Sequence, residues 1–282
     1  MPHPLVEFGG RGAVLLVAPA NGFPPVTYAP IVQPLTRRFR VVCLPPRAMW
    51  PDAGEPPAEP GSWATIAEEL LQGMALHGLT DVIGMGHSFG SVALLLAAVR
   101  ERARFRGLCL LDPTIPPPQF LERVHAGPGD ERYRRIVTRA RARRAEFRDP
   151  DEAFAYWREK PLFADWSDDA LWLYTHSMLR PSDGGGGFEL AWSPAWEAHY
   201  YESLYTGTWT DIERLDSALP ILVIGGAASD TFLPDAAELL QLKLPNARVE
   251  TVAGFGHLFP QAAPDVTRAI LEDWLRVVMP AT

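Results

Sequence analysis

Two cysteines in 282 residues are too few for a disulfide framework. Cys43 and Cys109 both sit in apolar, strand-like runs, RVVCLP and GLCLLD, where buried reduced thiols are expected. Lysine is almost missing: Lys160 and Lys243 are the only two, and arginine takes its place elsewhere, which reads as codon bias rather than function. An excess of positive charge is absent too. The formal net charge of -8 argues against nucleic acid and anionic membrane surfaces as main partners. No apolar run approaches the ~20 residues that a membrane span needs, the longest being VALLLAAV. The opening MPHPLVEFGG lacks the charged start and apolar stretch of a signal peptide. These absences lead to the expectation of a soluble cytoplasmic protein whose partner is a small molecule.

What is present begins with ordinary globular material. At 47% hydrophobic and 21% charged, a chain of this length buries a large core without metal or disulfide help. One local exception to the charge balance is RYRRIVTRARARRAEFR, residues 132 to 148. Tyr133, Ile136, Val137, Ala140 and Phe147 fall on one face at helical spacing and the arginines take the other, as on a solvated amphipathic helix.

Short β-branched apolar runs alternate with helical patterns. AVLLVAP, RVVCLPP, DVIGMGHS and RGLCLLDPT read as strands, and PILVIGG and ARVETVAG resume the pattern after residue 218. Between the strands, SWATIAEELLQGMALHG carries an apolar stripe at i, i+3, i+4 with Ser62 as N-cap. Such alternation predicts an α/β fold, a mostly parallel central sheet with helices on both faces. The rhythm breaks between residues 113 and 218, a helical, aromatic stretch holding six of the nine tryptophans and six of the seven tyrosines. The expected organisation is therefore a core of residues 1–112 and 219–282 with a helical insertion, 113–218, between its halves.

Gly86-His87-Ser88-Phe89-Gly90 fits G-x-S-x-G, with an apolar strand before it and a helix after it. That context puts the serine Oγ at the apex of a tight turn, at the carboxyl end of a central strand. A serine hydroxyl needs a base at neutral pH. Of seven histidines, His257 in AGFGHLFP follows a predicted strand and lies in a glycine-marked loop. The imidazole in turn needs a carboxylate to fix its tautomer. Asp230, in GGAASDTFLP, is the expected one, and Asp112, in CLLDPT at the end of the strand after the nucleophile's helix, is the alternative. Backbone N–H groups of Phe89 and of Phe23, in the loop APANGFPP, are the expected oxyanion donors. Asn21, Gly22 and His87 are placed against substrate, although His87 should point the other way along the turn from Ser88.

Together, NGFP, GHSFG, GGAASD and GFGHLFP resemble the oxyanion loop, nucleophile elbow, acid loop and histidine loop of the α/β-hydrolase superfamily, in particular its capped serine esterases. The resemblance implies that residues 113–218 form a lid, with Trp157, Trp192 and Trp196 lining an apolar acyl or alcohol site. It also implies hydrolysis of small to medium carboxylic esters through an acyl-enzyme, with no metal or organic cofactor. C–C bond, lactone and amide cleavage, perhydrolysis, acyl transfer and a non-catalytic receptor with the same fold stay open. The chain departs from the family pattern at Asn21-Gly22, where the family commonly has His-Gly.

Overall fold

The computed structural model describes residues 3–125, 131–182 and 184–280. Its strands, in chain order, are β1 Val6–Gly9, β2 Ala13–Ala18, β3 Phe39–Cys43, β4 Val82–His87, β5 Phe105–Leu111, β6 Glu146–Phe147, β7 Leu179–Pro181, β8 Phe188–Leu190, β9 Ile221–Gly226 and β10 Arg248–Val252. Seven of them form one sheet in the order β1-β3-β2-β4-β5-β9-β10. Only β1 runs antiparallel, against β3; the other six are parallel. This is the α/β fold that the alternating sequence predicts.

Central parallel strands have helices on both faces, so neither face can be polar. Leu15, Leu16, Val17, Ile83, Met85 and Leu108 to Leu111 are accordingly buried almost without remainder. Cys43 and Cys109 are free and fully buried in this sheet, and burial pushes both thiols up from their ordinary pKa. The helix Phe89–Arg100 is buried from Phe89 to Ala98, because it lies between the sheet and the helices Trp63–Leu76 and Thr208–Ile212. Ser62 caps Trp63–Leu76, its Oγ accepting from Ala64 N at 3.2 Å. Among the described residues, no helix is long and apolar enough to cross a membrane.

Register brings the chemistry to one edge. Ala18 pairs with Gly86, His87 with Leu111, and Leu111 with Ile224, so β2, β4, β5 and β9 end side by side. The residues that follow them, Ala20–Phe23, Ser88, Asp112 and Ser229–Asp230, crowd that edge, where open parallel sheets bind ligands.

The segment between β5 and β9 differs from the helical expectation in two ways. It contains a small antiparallel sheet, β6-β8-β7, whose two- and three-residue strands carry no readable periodicity. The arginine-rich helix is also shorter than its pattern. It spans Glu131–Arg141 with Tyr133, Ile136, Val137 and Ala140 turned inward, and Phe147 belongs instead to β6.

Candidate active site

Ser88 sits at the junction of β4 and the helix Phe89–Arg100 with φ +57°, in the left-handed region that non-glycine residues rarely adopt. The turn is that tight because two backbone approaches leave no room for side chains. A Cβ on Gly86 would lie 2.6 Å from Ser91 Cα, and one on Gly90 would lie 2.3 Å from the Ala18 carbonyl oxygen. The strain, about 1–3 kcal/mol for such a residue, is held by Ser88 N–H donating to Leu111 O at 3.0 Å.

The Ser88 hydroxyl lies 3.1 Å from His257 Nε2, and His257 Nδ1 lies 2.7 Å from Asp112 Oδ1. A carboxylate only accepts, so Nδ1 carries the ring proton and Nε2 presents a lone pair to Ser88. Asp112 is fully buried, at φ +38°. Both its oxygens are engaged: Oδ1 also accepts from Ser229 Oγ at 2.6 Å, and Oδ2 accepts from Gly226 N–H at 2.8 Å.

The carboxylate on the imidazole is thus that of Asp112, and the expectation of Asp230 is corrected. The chain turns abruptly after β5, between Asp112 and Pro113, and aims the Asp112 side chain across the end of β9. The β9 loop answers with the Ser229 hydroxyl. Asp230 Oδ1 accepts from Thr231 Oγ1 at 3.3 Å, and its side chain borders the cavity beside His257.

One contact was not anticipated from sequence: Thr114 Oγ1 lies 2.9 Å from Ser88 Oγ. When Ser88 donates to His257, Thr114 is the donor to Ser88 and fixes the hydroxyl rotor.

Phe89 N opens a helix, where first-turn N–H groups have no intrahelical acceptor. The Phe23 N–H is differently placed. It donates to Ala20 O at 3.1 Å across a turn in which Gly22 has φ +80°. It therefore serves an oxyanion only once that bond is shared or released.

Asn21 Nδ2 donates to the Glu197 carbonyl at 2.9 Å, and Gly22 O accepts from Tyr174 Oη at 3.4 Å. His87, grouped with Asn21 and Gly22 as a substrate contact, is fully buried and bonded to Tyr28 and the His257 backbone. The three tryptophans also stand elsewhere. Trp157 packs on Phe147 and Tyr174, Trp192 on Tyr200, and Trp196 on Tyr200 with its Nε1–H on Gly54 O; all three are buried in ring-on-ring packing.

The cavity that touches His257 measures about 190 Å³ and is walled by Leu162, Trp166, Phe255 and Phe259, with Asp165 and Asp230 beside them. Phe255 and Phe259 flank the histidine in GFGHLFP, but neither was singled out from sequence. Trp166 was indistinguishable from the other tryptophans of its segment.

Behind the Asn21–Phe23 loop, Arg143 pairs with Glu197 at 2.5 Å and donates to Tyr174 Oη. Burial alone would lower the Arg143 pKa, but Glu197 and Tyr174 outweigh it and raise it. Removing one partner of a buried pair strands the other. Glu197→Ala is expected to cost about 3–5 kcal/mol of stability in denaturant unfolding. A loss under about 1 kcal/mol would mean that solvent already relieves Arg143.

The profile of the Alpha/beta hydrolase family matches residues 14–270, nearly the whole chain. The chain belongs to the alpha/beta hydrolase family. An N-formylmaleamate deformylase of Pseudomonas putida is 24% identical to this family member over 96% of its length and 91% of the relative's. Among solved structures, an E-2-(acetamidomethylene)succinate hydrolase superposes with a TM-score of 0.80 at 19% identity, covering 96% of this chain and 94% of the other. An N-formylmaleamic acid deformylase from Pseudomonas putida superposes at 0.66 and 19% identity, covering 94% of each chain. At these identities the superpositions establish the alpha/beta hydrolase fold.

Proposed function

We propose that this hydrolase transfers the acyl group of a small carboxylic ester to water through an acyl-enzyme on Ser88. The observation that carries the reading is the unbroken chain from Ser88 Oγ through His257 to Asp112, at 3.1 and 2.7 Å. His257 Nε2 takes the proton as Oγ attacks the ester carbonyl, and the C–O bond forms. The tetrahedral oxyanion is met by Phe89 N–H and by Phe23 N–H after its turn opens. Each donor is worth about 3 kcal/mol to the transition state. Asp112 holds the Nδ1 proton and stabilises the imidazolium. The imidazolium then protonates the leaving alkoxide as its bond to the acyl carbon breaks. Water, deprotonated by the same Nε2, attacks the acyl-enzyme, and collapse of the second tetrahedral intermediate returns the proton to Ser88 Oγ and releases the acid.

Residues 113–218 act as the lid over this centre. The small cavity beside His257 supports a preference for short acyl groups. Cleavage of a C–N acyl bond is the second reading, favoured by the deformylase relative that aligns along 96% of the chain. The chemistry is the same except that His257 must protonate a poorer leaving group, an amine or amide nitrogen.

A fluorophosphonate probe tests the nucleophile. One adduct per chain, mapped to Ser88 by peptide mass spectrometry, is expected; folded protein that takes no adduct would overturn the hydrolase reading. Turnover of p-nitrophenyl acetate, p-nitrophenyl palmitate and an N-formyl amide then ranks the substrates. The acetate ester should be fastest, and a faster palmitate or a faster amide would replace the short-chain or the ester assignment.

A further inference from the structure

A buried hydrogen-bond chain links the oxyanion loop to the base without entering the reaction itself. Ala20 N–H donates to Tyr28 Oη at 2.9 Å, Tyr28 Oη lies 2.8 Å from His87 Nδ1, and His87 Nε2 lies 3.0 Å from the carbonyl oxygen of His257. The donors can be assigned along its length. A carbonyl oxygen only accepts, so His87 Nε2 carries the proton. Nδ1 of the neutral ring is then a lone pair, and the Tyr28 hydroxyl donates to it. The Tyr28 oxygen keeps a lone pair for Ala20 N–H. Tyr28 and His87 are both fully buried, and one tautomer satisfies every polar atom of the ring. Burial, and then the neighbouring His257, hold the His87 pKa well below its ordinary value, which keeps that neutral tautomer in place.

We propose that His87 and Tyr28 are positioning residues that tie the oxyanion loop to the His257 backbone, setting donor and base against Ser88 as one unit. The proposal rests on the assignment of Ser88 and His257 as nucleophile and base. Both backbone groups of Ala20 are committed: its N–H to Tyr28, and its carbonyl to the Phe23 N–H. Ala20 is therefore held through its N–H by Tyr28, and the direction of its carbonyl decides where the Phe23 donor points. At the other end, His257 is fixed by its ring, on Asp112 and Ser88, and by its carbonyl, on His87. Without the last bond the imidazole has only its own reactive contacts and loop backbone to hold it. His87 directly precedes the nucleophile, so the strut is anchored in the same turn it serves. A misplacement of about 1 Å in such a site costs about a hundredfold in rate.

Glutamine reproduces the strut. Its Nε2 amide can donate to the His257 carbonyl and its Oε1 can accept from Tyr28, with a spacing close to that of the two imidazole nitrogens. Phenylalanine fills the volume and makes neither bond. With p-nitrophenyl acetate, His87→Phe is expected to lower kcat about 30- to 100-fold with KM within about twofold, and His87→Gln to recover to within about fivefold of wild type. Tyr28→Phe, which deletes one oxygen, should lower kcat about tenfold. Thermal unfolding of each variant gives the folded fraction to which kcat is referred. Folded His87→Phe that keeps wild-type kcat, or His87→Gln no better than His87→Phe, overturns the proposal, since simple packing would give those results. If His87→Phe does not fold, Tyr28→Phe decides, and unchanged kcat overturns it. Wild type that fails to label with fluorophosphonate removes the hydrolase assignment instead, a different result from any of these.

Discussion

Asp112→Asn is expected to lower kcat for p-nitrophenyl acetate about 10⁴-fold, whereas Asp230→Asn leaves it within about threefold. Asp112 accepts three hydrogen bonds, from His257 Nδ1, Ser229 Oγ and Gly226 N–H. An asparagine in its place must turn its NH₂ toward one of these donors. Gly226 N–H can only donate, so the amide oxygen keeps the Oδ2 position, and the NH₂ takes the Oδ1 position, facing His257 Nδ1 and a Ser229 hydroxyl that can turn to accept. That nitrogen becomes the acceptor and the ring proton moves to Nε2. The base then meets Ser88 with a proton already in place, and proton transfer from Oγ stops. The geometry of the site is unchanged, so KM for the ester stays near wild type while kcat falls. Stopped-flow release of p-nitrophenol measures both variants, and equal loss in the two would mean that the carboxylates share the role.

Ser88→Ala is expected to remove about 10⁶-fold from kcat/KM. No second nucleophile stands at the apex of the turn, and Thr114, 2.9 Å from the lost oxygen, is separated from the base by the gap that Ser88 filled. The residual rate comes from the oxyanion donors and from binding, which together retain about 10³- to 10⁴-fold over water in enzymes of this design. Alanine still has to adopt φ near +57°, so the variant should fold with much the same stability as wild type. Fluorophosphonate labelling, followed beside ester turnover, should vanish. A loss of less than about tenfold would place the chemistry on another residue.

Five of the six parallel strands were legible as runs of largely buried apolar and β-branched residues bounded by loop chemistry, and the sixth, β10, in which only Val252 is buried, by the return of the strand–helix rhythm. β1 was not. Its four residues, Val6–Gly9, include a glutamate and face solvent over half their length, so no run stands out. The strands of the small sheet are too short to show a period, and β6 depends on a partner about forty residues further along the chain. Ser88 and His257 were legible because local glycines mark the turns that carry them. The acid was harder. Asp112 and Asp230 both follow strands that end at the same edge, and no local pattern says which side chain crosses to the imidazole. Position along the edge decides it: β5 lies beside β4, and Asp112 is oriented by the bend before Pro113. The small-residue loop GGAASD does reach Asp112, but through Gly226 and Ser229, one residue short of its own aspartate. The tryptophans were misassigned for a related reason. Aromatic side chains that pack against one another and those that wall a cavity look alike in sequence, and Trp166 lines the cavity at His257.

Tyr174 rests on the carbonyl of Gly22, and Arg143 and Glu197 crowd the same peptide from behind. Segments remote in sequence from Ser88 thereby press on the turn whose opening the proposed mechanism requires. Natural or engineered drift in those segments will be felt as altered turnover before it is felt as altered affinity, and libraries meant to broaden this enzyme's range can be aimed there while Ser88, Asp112 and His257 are left untouched.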